Sequence, residues 1–296
     1  MKRIGILLTL VVLSVGLIAP LNGTAKMSRT VNRDLHQHPT TGKVGGSAWY
    51  HSGNLLQNPD ASALTVNPWI GTGTWTVTTG PVVLGPLSID SSDGSPWFLE
   101  SGGVSVLNAC SACFNSRTVT LSQTVNLSSY FLLIQNSSIY FVYGGDAFAE
   151  GMKFSGSGVF GYLVSNGYEA SYRLDFLNSS GGPLAWDASG PIFNSNFACA
   201  SGTSAAKNYG YRRTVTAIPK ATRSIRFTAT MMDTMTVCHN VSTTSTFRNG
   251  FDNLWLEFVF DKRHARESVN GRFVPGSPPG SFVKATLMPN AKANRQ

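Results

Sequence analysis

The fold class is decided by the stretch Ser224-Ile225-Arg226-Phe227-Thr228-Ala229-Thr230-Met231, in which polar and apolar side chains alternate strictly at every second position. Successive side chains of an extended chain point to opposite faces, so this period of two predicts one buried face and one solvent face. The same alternation recurs in the segments Ser171–Phe176, Val119–Leu127 and Leu254–Phe260. Continuous apolar runs, which are typical of strands covered on both faces, occupy Tyr130–Ile134 and Tyr140–Tyr143.

Turn residues separate these strand-like segments, and no segment shows the apolar period of a three-turn amphipathic helix. The pattern predicts an all-β chain with two antiparallel sheets packed as a β-sandwich. We place the sandwich domain at residues 54–260, which carry no linker and no internal repeat. Residues 26–48 lack apolar periodicity, and residues 261–296 are basic and contain Pro and Gly. Both flanks, residues 26–53 and 261–296, are therefore predicted to be flexible.

Several short motifs follow one another in a characteristic order along residues 54–260. They are Asn54-Leu55-Leu56-Gln57-Asn58-Pro59, then Trp69 or Trp75, the Gln123-containing segment 121–127, the strand-like segments 170–177 and 218–227, and Asp252-Asn253-Leu254-Trp255-Leu256. This order resembles that of carbohydrate-binding modules and F-box-associated glycan-binding domains with the galactose-binding-like jelly-roll fold. The chain departs from the F-box-associated pattern before the last strand, where Thr246-Phe247-Arg248-Asn249-Gly250 replaces a Tyr-Trp-Lys-Gly-Trp-like segment.

The resemblance implies a non-catalytic, lectin-like module that binds glycans or extracellular polysaccharide. In such modules, loop aromatics at one end of the sandwich stack on the apolar face of a sugar, and polar neighbours bond its hydroxyls. The loop aromatics predicted to bind the ligand are Trp97, Trp186, Tyr209 and Tyr211. The alternative role for a Trp at such a position is to close the end of the core.

The resemblance also implies a structural calcium ion, Ca2+, between the first loop and the last strand. Its oxygen ligands would include Asp60 and Asp252, of which Asp252 occupies the position of the family's terminal Asp-Asn pair. Turn chemistry explains both carboxylates equally well, so the two roles stay open at this point.

The start of the chain predicts a secreted, extracellular protein. Lys2 and Arg3 precede an apolar run from Ile4 to Ala19, and the small residues of Gly23-Thr24-Ala25 follow it. This is the pattern of a signal peptide over residues 1–25, with cleavage after Ala25. The run is shorter than the ~20 apolar residues of a spanning helix, so no stable membrane insertion is expected.

Cysteines and glycosylation sequons agree with a secretory route. The four cysteines, which allow two disulfides in one of three connectivities, are Cys110, Cys113, Cys199 and Cys238. Because Cys110 and Cys113 lead into a strand pattern rather than a helix, we interpret them as a structural staple and not as a redox motif. The Asn-x-Ser acceptors predicted to make the chain a glycoprotein are Asn126, Asn136, Asn178 and Asn240.

The net charge of +8 does not indicate a nucleic-acid partner. Residues 54–260 contain ten basic and twelve acidic side chains, a net charge of −2, so the basic excess lies in the signal segment and the two flanks. A nearly neutral sandwich lacks the clustered Lys/Arg face that a phosphate backbone requires.

Two other functions compete with glycan binding. A secreted structural or protein-interaction protein of a wall, coat or matrix would share almost all of these sequence features. A glycoside hydrolase would need two suitably spaced carboxylates, for which Glu150 and Glu169 are the candidates, but solvated turn positions explain both residues more simply. The motifs of serine hydrolases, zinc proteases and phosphate-binding loops are missing from the sequence.

Overall fold

The computed structural model describes residues 49–84, 87–89, 91, 94–106, 113–136, 139–152, 164–196, 205–237, 243–261, 274–276 and 283–287. The strands within these ranges are β1 (Trp49–His51), β2 (Ile70–Thr72), β3 (Trp75–Thr78), β4 (Val82–Leu84), β5 (Leu87–Ile89), β6 (Trp97–Val106), β7 (Cys113–Asn126), β8 (Ile139–Met152), β9 (Val164–Leu177), β10 (Pro183–Ala188), β11 (Phe193–Asn196), β12 (Ala205–Val215), β13 (Ser224–Val237), β14 (Thr243–Asp261), β15 (Val274–Gly276) and β16 (Val283–Leu287). A 3-10 turn (Ser128–Tyr130) leads into a short helix, α1 (Phe131–Asn136).

The strands form two large antiparallel sheets. Sheet A has the order β15-β1-β14-β8-β12-β16, and β6 with its neighbour β3 joins it along the first half of β14. Sheet B has the order β10-β9-β13-β7-β2, with β11 also paired to β9. β4 and β5 form a separate two-stranded sheet. The predicted all-β, two-sheet antiparallel sandwich is confirmed, and the arrangement is consistent with a jelly roll.

The core lies between the two sheets and follows the alternation of the sequence. In β13 the apolar members of the alternating stretch, among them Ile225 and Phe227, are completely buried, whereas Arg226 points to the outer face. The facing strand β14 buries Leu256 and Phe258 in the same cluster. Trp69 joins the sheets through edge contacts with Phe98 and Phe227, at ring distances of 5.8 and 6.0 Å. Burial of these side chains in one cluster therefore holds the two sheets together.

The segment around Asn54 is held in place by two side-chain amides, which form hydrogen bonds with backbone groups. Asn54 donates to the carbonyl of Leu254 and accepts from the backbone N–H of Leu256. Gln123, at an inward position of β7, donates to the Gln57 carbonyl at 2.9 Å and accepts from the Gln57 N–H at 2.8 Å. Since buried polar groups need such partners, these bonds explain why an Asn at the front and a Gln in β7 belong to the same fold.

Residues 130–134, predicted as a strand, are helical instead. Asn126 accepts a hydrogen bond from the N–H of Ser128 and turns the chain at the end of β7. Tyr130, Leu133 and Ile134 then pack against the core, while Leu132 is exposed. This spacing of three and four residues is that of a helix, and a run of apolar residues this short does not distinguish the two structures by itself.

Sheet A extends beyond the predicted domain limits of residues 54–260. β1 precedes Asn54 and pairs with the end of β14, and β15 pairs with β1. β16 adds an outer strand beside β12. Short pieces of both predicted flexible flanks therefore contribute strands to the sandwich.

Trp97 is a core residue, so the prediction that it is a ligand-binding loop aromatic is wrong. It opens β6, is 0% exposed, and packs against Phe148 with the rings 5.5 Å apart. Its indole N–H donates to the Gly80 carbonyl, and Val82 covers the cluster. At Gly250 a β-carbon would stand 2.3 Å from the Trp97 ring, so the glycine makes room for the indole. Trp97, Phe148 and Val82 thus form a second, small core on the outer face of sheet A.

Other predictions lie outside the described residues. These are the signal peptide at residues 1–25, the cysteines Cys110, Cys199 and Cys238, and the sequon at Asn240. Cys113 is described only as the first residue of β7, and the side chain of Asn136 is not described. In the described part of the chain, none of the helices has the length and apolar character needed to cross a membrane.

Candidate functional site

The outer face of sheet B carries an exposed tryptophan beside a pair of arginines. Trp186 on β10 is the register partner of Asp175 on β9, which is the partner of Arg226 on β13. Directly paired residues of antiparallel strands point to the same side, and neighbouring strands are about 5 Å apart. The three residues therefore form one row across the sheet, and Arg173 lies two positions from Asp175 on the same face. We call Trp186, Arg173, Asp175 and Arg226 the Trp186 row.

Trp186 remains 64% exposed although it belongs to a regular strand. The guanidinium carbon of Arg173 lies 5.0 Å from the centre of its ring, within the range of a cation–π contact. One ring face is thus supported by Arg173, and the indole presents a flat apolar surface to solvent. The predicted loop position is a strand position at the edge of sheet B.

The neighbouring residue, Asp187, anchors this edge strand to the opposite sheet. Its carboxylate accepts hydrogen bonds from the Tyr143 hydroxyl at 2.6 Å and from Nε and Nη2 of Arg213, each at 2.8 Å. Burial and the hydrogen bond to Asp187 raise the pKa of Tyr143 above its usual value, so the phenol stays protonated as a donor. Trp186 is therefore carried on a strand that is tied to sheet A as well as to sheet B.

Arg173 and Arg226 converge on the carboxylate of Asp175. Arg173 binds Oδ1 through Nε at 2.8 Å and Nη2 at 2.7 Å. Arg226 binds Oδ2 through Nε at 3.2 Å and Nη2 at 3.1 Å. Sequence reasoning missed this cluster, although the outward positions of β9 and β13 carry the opposite charges that indicate cross-strand pairs.

The rest of the face is lined by small polar side chains and ends in an exposed isoleucine. A second row runs from Arg173 through Thr228 and Ser122 to Ile70, which is 76% exposed at the far edge. In the following row Thr72 and Thr120 share a hydrogen bond of 3.1 Å. The face therefore offers hydroxyl groups between an aromatic edge and an aliphatic edge.

The two predicted tyrosines do not join this face. Tyr211 is buried in β12 and stacks on Tyr172, with ring centres 6.0 Å apart, so its prediction as a loop ligand contact is wrong. Tyr209 lies in the same strand opposite Ala147, and its side chain is outside the described residues.

Asp60 and Asp252, the predicted calcium ligands, are engaged in local hydrogen bonds. Asp60 accepts from the N–H of Ser62 at 3.2 Å in an exposed turn. Asp252 is fully buried and accepts from the N–H of Asn253 at 2.7 Å. Within the described ranges, no three His, Cys, Asp or Glu side chains are grouped so that they could hold a metal ion. Asp60 thus has a turn role, whereas Asp252 lies inside β14 at the register shift that follows it, and calcium binding stays a prediction.

Two of the predicted glycosylation sites are described. Asn126 is exposed at the end of β7, and its side-chain oxygen accepts the Ser128 N–H at 2.8 Å. Asn178 is half-buried after β9 and accepts from the backbone N–H groups of Ser180 and Gly182. Both are turn acceptors, and their glycosylation stays a prediction.

A buried ion network joins the sheets away from the Trp186 row. Arg117 of β7 donates to both oxygens of Glu100 of β6, at 2.8 and 2.7 Å, and to Asp233 of β13 at 2.6 Å. Asn249 of β14 donates to Asp233 at 2.8 Å. Burial raises the pKa of Asp233 to about 6, and Arg117 and Asn249 partly offset that effect. Two buried carboxylates thus share one arginine.

The raised pKa of Asp233 predicts a pH-dependent stability. A carboxyl whose pKa is higher in the folded than in the unfolded chain stabilises the fold fully below about pH 4, and this contribution is lost as the pH rises through about 6. The pKa of about 6 against the ordinary value of 3.8 corresponds to about 3 kcal/mol. We expect Asp233→Asn to remove this pH dependence in urea unfolding measured between pH 4 and 7. Asp60→Asn, at an exposed turn, is the control. If the free energy of unfolding of Asp233→Asn falls between pH 4 and 7 as steeply as that of the native protein, Asp233 is not the group responsible.

The carboxylates of the hydrolase alternative are not neighbours in either sheet. Glu169 lies on β9 in sheet B, opposite Met232, and Glu150 lies on β8 in sheet A, opposite Ala206. The side chain of Glu150 is outside the described residues. Both residues occupy strands and not the turns that the sequence suggested.

Comparison with known proteins gives only distant structural similarity. No protein-family model matches the chain, and no curated protein matches it. The enzymatically active domain of tailspike protein 4 of bacteriophage CBA120 is 13% identical over 69% of this chain, with a TM-score of 0.30. TmCBM61, solved in complex with beta-1,4-galactotriose, is 15% identical over 71% of this chain and 99% of its own, with a TM-score of 0.28. An infectious bursal disease virus structure (Gx strain) is 8% identical over 72% of this chain and 58% of its own, with a TM-score of 0.23.

The alignment spans 21% of the tailspike chain. At these identities and TM-scores the similarity carries no conclusion about function, and the fold assignment follows from the two sheets described above.

Proposed function

We propose that this protein is a secreted, non-catalytic carbohydrate-binding protein and that the outer face of sheet B binds a polysaccharide. The observation that carries the proposal is the exposed indole of Trp186, held on a strand that pairs with β9 in sheet B and that Asp187 ties to sheet A. Secretion rests on the signal sequence predicted at residues 1–25.

The chemistry of this face suits a sugar chain. Pyranose rings have an apolar face that packs on an aromatic ring and hydroxyls that need hydrogen-bond partners, and a binding site supplies both with few convergent groups. Trp186 supplies the ring, and Thr228, Ser122 and the arginines of the Trp186 row supply polar partners on the same face. Because these groups stand on paired strands, little conformational entropy is lost when a ligand binds.

A non-catalytic role is supported by the state of the carboxylate beside Trp186. Asp175 is 4% exposed and is bound by two arginines. A general acid or base must exchange a proton with the substrate, and a carboxylate held in two ion pairs is poorly placed to do so.

The test is a binding measurement with a panel of soluble polysaccharides, by affinity electrophoresis and calorimetry on the mature chain, residues 26–296. We expect Trp186→Ala to weaken binding at least about 30-fold, equal to about 2 kcal/mol, because a central aromatic contact is lost. Trp255→Ala is the matched control, since Arg212 stands 5.9 Å from the Trp255 ring on the other sheet. Failure of the native protein to bind any polysaccharide would favour a structural or protein-interaction role. Equal binding by Trp186→Ala and the native protein would contradict the assignment of the outer face of sheet B as the binding site.

A further inference from the structure

We infer that the polysaccharide bound at the Trp186 row is acidic and that Arg173 and Arg226 recognise its carboxylate groups. This inference rests on the proposed function and specifies its ligand class. It starts from the convergence of two arginines on Asp175, next to the ring that is proposed to stack on a sugar.

The two arginines are fixed before any ligand arrives. Asp175 is buried under them, and each of its oxygens is bound by Nε and Nη2 of one arginine. The planar guanidinium group is therefore oriented, so less side-chain entropy is lost when it forms further hydrogen bonds. The Nη1 groups of both arginines take no part in the bonds to Asp175.

The cluster also keeps a net positive charge at the surface. Two guanidinium groups oppose one carboxylate, which leaves a charge of +1, and the side chains of Arg173 and Arg226 are 49% and 50% exposed. Glu169 faces the same side of β9, four residues from Arg173, or about 13 Å along the strand. At that distance it is screened in physiological salt and does not cancel the local charge.

The spacing of the row matches a chain that carries both a sugar face and an anion. Trp186 and Arg226 are separated by one intervening strand, so their backbones stand about 10 Å apart, and Arg226 reaches back toward Asp175 on that strand. An extended acidic polysaccharide has a ring to place on Trp186 and carboxylates on the same or adjacent units. Guanidinium groups are well suited to bind carboxylates through paired N–H donors.

The experiment compares polyuronates with their methyl esters, which differ in charge but keep the same backbone. Polygalacturonate, alginate and hyaluronan, each with its esterified form, are titrated against the mature chain at low and at high salt. We expect at least one acid to bind about tenfold more tightly than its ester, because charged hydrogen bonds are stronger than neutral ones. High salt is expected to reduce this preference.

Substitutions of single arginines test which residue causes the preference for the acid over its ester. Arg226→Gln is expected to reduce the ratio of acid to ester affinity about tenfold, and Arg226→Lys to restore part of it, because charge returns without the planar fork. Arg212→Gln, which alters the arginine beside Trp255 on sheet A, is expected to leave the ratio unchanged. Melting temperatures verify that each variant is folded.

The outcomes separate this inference from the proposed function. If neutral polysaccharides or esters bind as tightly as the acids, and Arg226→Gln has the same ratio of acid to ester affinity as the native protein, the inference of an acidic ligand is wrong. The proposal that the protein binds glycans is not contradicted by that result. Absence of binding to every acidic and neutral polysaccharide would overturn both.

Discussion

Replacing Arg117 with methionine is expected to lower the free energy of unfolding by about 3–5 kcal/mol at pH 7. Glu100 and Asp233 are almost completely buried, and both depend on this one guanidinium as their counter-charge. Removing it leaves two carboxylates in the interior without a cation. The loss is expected to be smaller at pH 4, where Asp233, whose pKa is about 6, is protonated. Urea unfolding at the two pH values measures both effects.

Two controls separate charge from packing in this experiment. Arg226→Met removes a half-exposed arginine, and the carboxylate that it binds, Asp175, keeps Arg173 as its counter-charge, so the change is expected to cost less than about 1 kcal/mol. Adding Glu100→Gln and Asp233→Asn to Arg117→Met is expected to recover much of the loss, because it removes the unpaired charges. A triple variant no more stable than Arg117→Met would assign the effect to packing instead.

Trp97→Ala is expected to destabilise the fold by about 3–5 kcal/mol and to leave glycan affinity unchanged below the unfolding temperature. The indole fills the small core outside sheet A, against Phe148 and above Gly250. Truncation opens a cavity there and leaves the Gly80 carbonyl without its indole donor. Thermal unfolding and the polysaccharide titrations are measured on the same sample.

The comparison variant is Trp255→Ala, at a half-buried tryptophan, for which a smaller loss of stability is expected. If Trp97→Ala keeps the native melting temperature but no longer binds polysaccharide, Trp97 is a ligand contact. That result would contradict its position in the core.

Much of the fold could be predicted because strand burial has a period of two that is written directly in the sequence. Phe227 and Arg226 fall on opposite faces of β13, as their alternation predicts. Residues 130–134 could not be assigned, because an apolar run of that length suits a helix and a strand equally. The turn at Asn126 and the packing of Tyr130 on Phe258 favour the helical conformation of this segment.

The candidate site was only partly predictable from residue types. Trp97, Trp186 and Tyr211 all belong to aromatic-containing segments beside turn residues, yet only Trp186 of these three is exposed. Exposure depends on what covers each face. Val82 of β4 packs over Trp97, and Tyr172 of sheet B covers Tyr211, whereas Trp186 lies on an edge strand whose outer side is open to solvent.

The sequence by itself determined the all-β class and the alternating faces of the long strands, because these depend on local periodicity and on the burial of apolar side chains. The tertiary structure alone decided that Trp186, Asp175 and Arg226 meet in one row with Arg173 beside it. It also decided that Glu100, Arg117 and Asp233 share one buried network. The physical reason is register. Which residues of distant strands face each other is fixed by the pairing of whole strands, and no local pattern specifies that pairing.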